Sequence, residues 1–533
     1  MFFEFPARKV VFLGILAGIL IATVSLSLAT IAANTEHFVE LGYAADRVGS
    51  ALSYEFSFKL PSEAGVALAA AGGVPQGVSG APVATTTAAS IPVLLYHGEN
   101  GGPSMTTATF VAQLDALHRA GWRTVTLPQF EAFMQGKLTL PDKSFLLTFD
   151  DGRRDTFYTA DPVLQDLGYT AVMFVITGLS LPNNGPHAVN DFYLSKPELA
   201  YMAASGRWEL ESHGNADHAG YAVPTATSTA ASLTLIPSQH FLSNHFWNTD
   251  TNAFETPAAY EARITGDLAH AKALLETDFG APVNAYAYPF NDFGEDSVND
   301  PGGATAAIAQ AVAASYRYSF YQTWAGNGDS FNYPDPSAHL VKRIEPLASW
   351  SGADLLAVLD GGRAKPLPYA ATSFGADWLA NWGTLTHGTS LTLTATASTT
   401  GAAAFLDGTE AWTNYRIQAV ADAGTGTFSL IARHTETAAP YLVCAFSNDR
   451  IYLERHEGSS QTTLASRPYV PSLRARTFAM TVTGPYASCS SGGVVVAATD
   501  ASISTEGGVG ASVWDPEAGT AQATLSAFTV SPR

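Results

Sequence analysis

The chain has 533 residues, enough for two or three domains that each bury a core of their own. Only 14% of the residues are charged, and 47 Asp and Glu against 27 Lys and Arg give a formal charge of -20. Such a surface repels phosphate backbones, which argues against nucleic acid as a partner. A hydrophobic content of 47% is typical of a folded protein rather than of a disordered one.

An uncharged run from Val10 to Ala33 follows Arg8 and Lys9. At about 1.5 Å per residue, this run is long enough to cross the ~30 Å hydrocarbon core of a bilayer. Basic residues before the run keep that end in the cytoplasm, so we expect a single-pass membrane protein whose remaining chain is extracytoplasmic. A cleaved signal peptide is the alternative, but its apolar region is usually ~7–15 residues, and no A-x-A site closes this run.

The chain divides by composition into four regions. Residues 64–90 carry no charge and few large side chains, so they bury too little area to offset their ordering entropy and are expected to form a tether. The expected regions are 1–33 (cytoplasmic end and transmembrane anchor), 34–90 (a juxtamembrane segment, helical up to about Leu60, and the tether), 91–368 (an α/β domain) and 369–533 (an all-β domain).

Strand and helix patterns alternate at the start of the α/β domain. Ile91 to Leu95 is a short apolar run of strand type that leads into His97. Phe110 to Ala120 has helical spacing, and Trp122 to Leu127 returns to a strand pattern. This alternation indicates an α/β layered or barrel fold.

Two adjacent carboxylates, Asp150 and Asp151, follow the buried-type strand Ser144 to Phe149. Their charges are costly at that position unless something compensates them, and a divalent cation would do so. Barrel enzymes place their chemistry at the carboxyl ends of the strands. The alternative is a surface turn, because Asp-Asp-Gly also favours turns.

A second strand pattern, Trp208 to His213, also ends in polar residues, and His218 follows five positions later. A tight loop of this length can bring both imidazoles to one ion. Together with Asp151 they would form a one-carboxylate, two-histidine metal site with positions open for water and substrate. An isolated pair of histidines would be weak support, so the prediction depends on both motifs ending a strand.

Five segments occur in the order seen in polysaccharide deacetylases, and the resemblance covers about Ile91 to Gly362. The resemblance is greatest to the poly-β-1,6-N-acetylglucosamine deacetylases, and it implies a distorted (β/α) barrel. The segments are YHG (96–98), LTFDDG (147–152), AVMFVITG (171–178), ESHGNADH (211–218) and AYAYPFNDFGED (285–296).

The resemblance also implies roles for individual residues. Asp150 would be the general base, His97 the general acid, and the backbone N–H of Phe290 part of the oxyanion hole. Asp151, His213 and His218 would hold a divalent metal ion, with Zn²⁺ expected and Co²⁺ or Ni²⁺ as alternatives. Tyr288, Pro289 and Trp247 are the expected substrate-binding residues.

The sequence departs from the family pattern at two positions. Ala287 stands where many members carry an arginine, so the cation that orients Asp150 has to come from elsewhere. Arg343 is our candidate, with simple packing as its alternative. Asn291 replaces a commoner glycine. The stretch from His218 to Glu255, which contains Trp247, is expected to be either a lid over a glycan groove or a packed insertion.

After Pro368, short alternating runs separated by turn residues indicate an antiparallel β-sandwich. Trp412 to Leu464 weakly resembles laminin-G or concanavalin-like jelly rolls, which suggests a carbohydrate-binding or spacing domain. Its aromatic residues are expected in the core more than on a sugar-binding surface, and a disulfide between its two cysteines is possible outside the cytoplasm. The residues concerned are Trp378, Trp382, Trp412, Tyr415, Cys444 and Cys489.

The sequence therefore predicts a metal-dependent hydrolase that removes N-acetyl groups from an extracellular N-acetylglucosamine polysaccharide. Peptidoglycan, chitin and O-acetylated glycans are alternative substrates, because the acetyl-handling residues do not encode the sugar linkage. A non-catalytic glycan-binding surface protein is the alternative of a different class, and the complete set of acidic and histidine residues argues against it.

Overall fold

The computed structural model describes residues 35–60, 87–98, 105–182, 192–300, 302–323, 330–424, 426–435, 439–458, 460–470, 476–517 and 519–533. The expected anchor, Val10 to Ala33, and the expected tether up to residue 86 lie outside these residues. Among the helices in the described ranges, none combines the length and the apolar character needed to cross a membrane. The four predicted region boundaries stay predictions.

Helices occupy the first two thirds of the described chain. Several begin and end at residues whose chemistry favours those positions: the Thr256 side chain accepts from the N–H of Ala259 at the start of one helix, and Gly280 ends it with a φ of 72°. The α-helices are α1 (Thr35–Tyr54), α2 (Thr107–Arg119), α3 (Leu127–Met134), α4 (Arg154–Leu167), α5 (Thr177–Ser180), α6 (Lys196–Ala204), α7 (Pro257–Phe279), α8 (Gly303–Ser315) and α9 (Gly352–Gly362).

The strands of the first domain form a parallel sheet and two small hairpins. The strands are β1 (Val93–Tyr96), β2 (Arg123–Thr124), β3 (Ser144–Phe149), β4 (Ala171–Val175), β5 (Trp208–Ser212), β6 (Tyr221–Pro224), β7 (Leu235–Gln239), β8 (Trp247–Asn248), β9 (Ala253–Phe254), β10 (Ala285–Ala287), β11 (Tyr318–Thr323) and β12 (Leu340–Ile344).

The parallel sheet closes on itself. Its strand order is β1-β12-β11-β10-β5-β4-β3-β2, and β1 also pairs with β3, so seven strands form a ring and β2 is added at its side. Inward side chains such as Leu146 and Val341 pack with Phe130 of α3, which plugs one end of the ring. Alternate side chains of the same strands pack outward against the surrounding helices.

One predicted strand is shorter than expected. The pattern from Trp122 to Leu127 predicted a strand, but β2 stops at Thr124 and α3 begins at Leu127. The reason is a capping box, in which the Thr126 hydroxyl accepts from the N–H of Gln129 while the Gln129 side chain accepts from the N–H of Thr126.

Helix α1 lies within the predicted juxtamembrane segment and packs against the α/β domain. It continues through a π-helical turn, Glu55–Lys59, and Lys59 lies 2.5 Å from Asp166 of α4. Asp46 lies 3.1 Å from Arg154 at the other end of α4. These contacts tie the segment before the tether to the α/β domain.

The second domain is all β, with two antiparallel sheets in the orders β15-β16-β27-β18-β23-β24-β25, with β13 on β27, and β14-β17-β26-β19-β20-β21-β22. Its strands are β13 (Tyr369–Ala370), β14 (Trp378–Trp382), β15 (Thr384–Thr386), β16 (Leu391–Thr394), β17 (Gly401–Leu406), β18 (Tyr415–Asp422), β19 (Thr427–His434), β20 (Tyr441–Phe446), β21 (Arg450–Glu457), β22 (Ser460–Pro468), β23 (Arg476–Thr483), β24 (Tyr486–Ser491), β25 (Val494–Thr499), β26 (Gly508–Trp514) and β27 (Gln522–Pro532).

Both sheets contribute to one apolar core. Cys444 of β20 and Cys489 of β24 form a disulfide that joins the two sheets. Trp378, Trp412 and Tyr415 are buried in this core, whereas Trp382 is 40% exposed. The predicted antiparallel all-β domain is therefore present, and its description as a jelly roll stays a prediction.

Candidate active site at the barrel rim

Strand periodicity brings the predicted polar residues to one place. Side chains alternate between the two faces of a strand, so Leu146, Thr148 and position 150 share the inward face of the strand line that begins with β3. By the same alternation, positions 97, 213 and 343 point inward at the carboxyl ends of β1, β5 and β12. Because parallel strands share one orientation, these positions meet at a single rim.

Asp151, His213 and His218 bring three donor atoms together. Asp151 Oδ1 lies 3.5 Å from His213 Nε2 and 3.3 Å from His218 Nε2. Ligands about 2.1 Å from a tetrahedral Zn²⁺ lie about 3.4 Å from one another, so the donor set fits such an ion. His213 Nδ1 donates to the carbonyl of Ala287 at 2.8 Å, which leaves Nε2 for the site.

Electrostatics at this cluster favour ionised carboxylate. Burial alone would raise the pKa of Asp151, but the imidazoles of His213 and His218 hold the pKa well below its usual range. Asp151 also has a φ of 73°, which is uncommon for a residue with a side chain. Strain of this kind persists only where surrounding contacts fix it, as at a functional site.

The loop between the two histidines requires a glycine. Gly214 has a φ of 77°, and a Cβ there would lie 1.9 Å from an oxygen of Asp217. Asp217 accepts a hydrogen bond from Tyr286 Oη at 2.7 Å. Burial and the nearby Asp267 raise the pKa of Asp217 to about 7. The close approach of this carboxyl group to the backbone fixes the loop that carries His218.

Asp150 forms a buried, two-pronged ion pair with Arg343. Asp150 Oδ1 and Oδ2 accept from Arg343 Nη1 and Nη2 at 2.7 and 2.8 Å, and both residues are 2% exposed. Burial would raise the pKa of Asp150, but the guanidinium of Arg343 outweighs it and lowers the pKa. Arg343 is thus the cation paired with Asp150, and its functional role stays a prediction.

His97 is a further neighbour of Asp150 at the rim. Its Nε2 is 3.7 Å from Asp150 Oδ2, and its Nδ1 donates to Glu345 Oε1 at 3.0 Å. Burial would lower the pKa of His97, but the hydrogen bond to Glu345 and the charge of Asp150 raise it. The imidazole is therefore held in the protonated form to a higher pH than a free histidine.

The backbone of the turn after β10 shows why Asn291 can replace the commoner glycine. Phe290 and Asn291 have φ values of 58° and 59°, in the left-handed region that favours glycine. Asn291 is tolerated because its side chain accepts from the N–H of Gln322 at 2.5 Å and donates to the carbonyl of Gln322 at 3.0 Å. Asparagine is also the residue with a side chain that adopts this conformation most readily.

These residues line a cleft of about 310 Å³, and two of the three expected substrate-binding residues are not among the described residues that line it. Among the described residues that line the cleft, Trp247 does not occur; it packs against Phe254 in the β8–β9 hairpin. Pro289 is a buried residue of the turn, and its neighbours Tyr288 and Phe290 line the cleft. The lining residues are His97, Asp150, Asp151, Phe192, Tyr193, His213, His218, Tyr288, Phe290, Asn291, Gln322 and Arg343.

Sequence reasoning missed several residues at this site. Glu345 carries a signal that could have found it, because it lies two positions after Arg343 and so shares the inward face of the same strand line. Phe192 and Gln322 also line the cleft, but neither belongs to a sequence motif that would predict this position. Only the folded chain brings them there.

A carboxylate and two imidazoles that converge at the rim of a parallel barrel form a candidate metal site of the kind that metal-dependent enzymes use. Residues 137–301 match the family model described as polysaccharide deacetylase. The chain therefore carries a domain of the polysaccharide deacetylase family, whose members include enzymes that act on N-acetyl amide bonds.

Known proteins similar to this chain carry related names. YxkH of Bacillus subtilis strain 168, named as a polysaccharide deacetylase, is 30% identical over 133 residues, which are 25% of this chain and 44% of that protein. The poly-beta-1,6-N-acetyl-D-glucosamine N-deacetylase of Escherichia coli K12 is 24% identical over 196 residues, 36% of this chain and 28% of that protein. The match to each thus spans less than half of that relative's length.

Among solved structures, a de-N-acetylase from Aggregatibacter actinomycetemcomitans is similar to this chain, with 18% identity and a TM-score of 0.39. The match covers 50% of this chain and 98% of that one.

Proposed function

We propose that this chain hydrolyses N-acetyl groups of an N-acetylglucosamine polysaccharide and releases acetate, using a divalent ion held by Asp151, His213 and His218. The single observation that supports this most is the convergence of those three donors beside a fourth group, since Asp150 Oδ2 lies 3.9 Å from His213 Nε2. A carboxylate next to a metal site, but not needed as a ligand, is suited to removing a proton from water.

Amide hydrolysis requires an activated water molecule, a proton acceptor and stabilisation of the oxyanion, and different residues provide each of these. An ion bound at the three donors would lower the pKa of a water molecule and polarise the acetyl carbonyl. Asp150 accepts the proton of the attacking water, and Arg343 keeps Asp150 ionised and oriented. The N–H of Phe290 donates to the oxygen that becomes negative in the tetrahedral intermediate.

The departing amine needs a proton, because an amide anion is a very poor leaving group. His97 supplies this proton from Nε2, which faces the cleft because Nδ1 is occupied by Glu345. Asp150 and His97 thus act as base and acid from neighbouring positions. Zn²⁺ is the ion we expect, with Co²⁺ or Ni²⁺ able to replace it at a site of this donor set.

The substrate class follows from the named relatives and from the cleft. The E. coli relative is named for poly-β-1,6-N-acetyl-D-glucosamine, which makes this polymer the first candidate here. Phe290 lines the cleft and is 51% exposed beside the metal donors, so it provides apolar surface for contact with a sugar ring. Peptidoglycan, chitin and O-acetylated glycans remain alternatives within the same chemistry.

We propose an extracytoplasmic location, with residues 10–33 as a single membrane anchor and Arg8 and Lys9 on the cytoplasmic side. The disulfide in the sandwich supports this, because structural disulfides persist in oxidising compartments. Protease treatment of intact cells should degrade the sandwich domain. Full protection of that domain until the membrane is opened would contradict the proposed topology.

The activity is tested with the full chain in detergent, stripped with a chelator and reloaded with Zn²⁺ or Co²⁺. We expect acetate release from one or more members of a panel of acetylated glycans, loss after chelation, recovery on reloading, and loss in Asp150→Asn. Asp360→Asn, an exposed carboxylate on α9, is the matched control and should leave the rate unchanged. Acetate release that survives both chelation and Asp150→Asn would refute the mechanism, whereas glycan binding without acetate release would favour a non-catalytic protein.

A further inference from the structure

The ring of Phe290 contacts two imidazoles. Its centroid is 4.9 Å from that of His218, with the rings tilted by 41°. The centroid of His240 is 4.5 Å away, and the two planes differ by 11°, so these rings are stacked. Phe290 is otherwise 51% exposed, so the stacked imidazole of His240 is a substantial contact of its side chain.

The backbone at this position needs such a constraint. Phe290 and Asn291 are two successive residues with left-handed φ, a conformation that is unfavourable for residues with a side chain. The two hydrogen bonds to Gln322 fix Asn291. They do not reach Phe290, whose N–H is the group assigned to the oxyanion.

His240 is itself firmly held. Its Nδ1 donates to Asp292 Oδ2 at 2.5 Å, and Asp292 is 2% exposed. Asp292 Oδ1 accepts from the N–H of Gly294 at 2.8 Å, so the carboxylate is fixed within the turn that carries Phe290. The carbonyl of His240 accepts from Asn244 Nδ2 at 3.0 Å. The insertion between the metal-binding loop and α7 is thus tied to the turn by an ion pair and a ring stack.

We infer that His240, held by Asp292, is a positioning residue that keeps the N–H of Phe290 aimed at the developing oxyanion. The inference rests on the proposed function and adds a role for the insertion, which the sequence left open between a lid and ordinary packing. His240 acts through the ring of Phe290 and does not itself reach the reacting atoms.

A second explanation predicts a different result. Donor atoms of His240, Asp292 and Asp296 lie within 4.8 Å of one another, so this group could instead hold a second ion. Aromatic stacking and a buried carboxylate already account for the position of the imidazole, which favours the positioning role. The number of ions bound per chain separates the two explanations.

The test compares His240→Ala with His240→Phe, which retains a stacking ring, in the Zn²⁺-loaded full chain. We expect His240→Ala to lower kcat by about ten-fold with little change in KM, a fraction of the 10²–10³-fold effect of removing an oxyanion-hole donor outright. The backbone N–H groups within residues 288–292, apart from Pro289, should exchange with solvent faster, while the zinc content stays that of the wild type. His240→Phe should recover most of the lost rate. The matched control is His339→Ala, an exposed histidine just before β12 at the opposite end of the barrel, which should change neither quantity.

Three outcomes overturn the inference. The first is unchanged kcat and unchanged exchange in a folded His240→Ala protein. The second is a lower zinc content in that variant, which would make His240 a ligand. The third is a His240→Phe protein no better than His240→Ala. If the wild type releases no acetate, the proposed function fails, and the exchange of residues 288–292 still decides whether His240 holds the turn.

Discussion

The barrel rim and the β-sandwich use strand alternation in opposite ways. Along β18 of the sandwich, buried residues alternate with more exposed ones, most of which are polar, so one face builds the core. The strand line of β3 is buried on both faces and ends in Asp150, a charge with almost no exposure. A buried charge is tolerated only when it is paired, and burying the pair has a desolvation cost. The rim therefore holds reactive groups at some expense of folding stability, whereas the apolar core of the sandwich adds to stability.

The largest effect on stability and activity is expected when the buried ion pair between Asp150 and Arg343 is removed. Arg343→Met leaves the carboxylate of Asp150 buried without a partner, which costs about 3–5 kcal/mol of unfolding free energy. Because Arg343 then no longer offsets the burial of Asp150, the pKa of Asp150 should rise, so acetate release should fall by at least about 100-fold at neutral pH and recover partly as the pH rises. Urea unfolding and a pH–rate profile measure the two effects.

The sign of the wild-type pH dependence follows from the same pair. The pKa of Asp150 is lower in the folded chain than in the unfolded one, so its stabilising contribution is present above the unfolded value of about 3.9 and is lost as the pH falls through the folded value. In Arg343→Met this contribution disappears. The double variant Asp150→Asn, Arg343→Met should regain much of the stability and none of the activity; a double variant as unstable as Arg343→Met would contradict this account.

The next effect belongs to the sandwich alone. The disulfide closes a loop with a sequence separation of 45 residues, for which loop-closure entropy gives a stabilisation of about 4 kcal/mol as an upper value. Replacing both Cys444 and Cys489 with Ala should lower the urea midpoint of the sandwich and leave acetate release from short soluble substrates unchanged. A large loss of activity on such substrates would mean that the two domains are energetically coupled at the cleft.

Local signals account for the part of the site that the sequence predicted. Asp151 and His213 each lie at the end of a strand with a recognisable apolar pattern, and parallel strands bring such ends together. Arg343 was predicted differently, from the family arginine that this sequence lacks at Ala287. His240 and Phe192 could not be found in this way, because they reach the site from segments between the barrel strands. Stacking between residues 50 positions apart depends on how an insertion folds back, and no periodicity of the chain encodes that.

A smaller effect is expected at Glu345, where only the pKa of one rim residue changes. Glu345→Gln keeps a hydrogen-bond acceptor for His97 but removes the charge that helps to raise its pKa. Since His97 has to be protonated to act as the acid, the alkaline limb of kcat/KM should move to lower pH, with a several-fold loss on that side. The acid limb should stay in place, because Asp150 keeps Arg343. A shift of the acid limb instead would assign Glu345 to the base.

The smallest effect on stability is expected at Asn291. Its left-handed backbone is unfavourable and its two side-chain hydrogen bonds are favourable, and these two contributions are of similar size. Asn291→Gly relieves a left-handed φ but removes both hydrogen bonds to Gln322, so the unfolding free energy should change by less than about 1 kcal/mol. Asn291→Ala loses the same bonds and keeps the strained φ, so it should be the less stable and less active of the two variants. If alanine were tolerated as well as glycine, the left-handed backbone would not be what determines the residue at this position, and the side-chain bonds to Gln322 would be its only requirement.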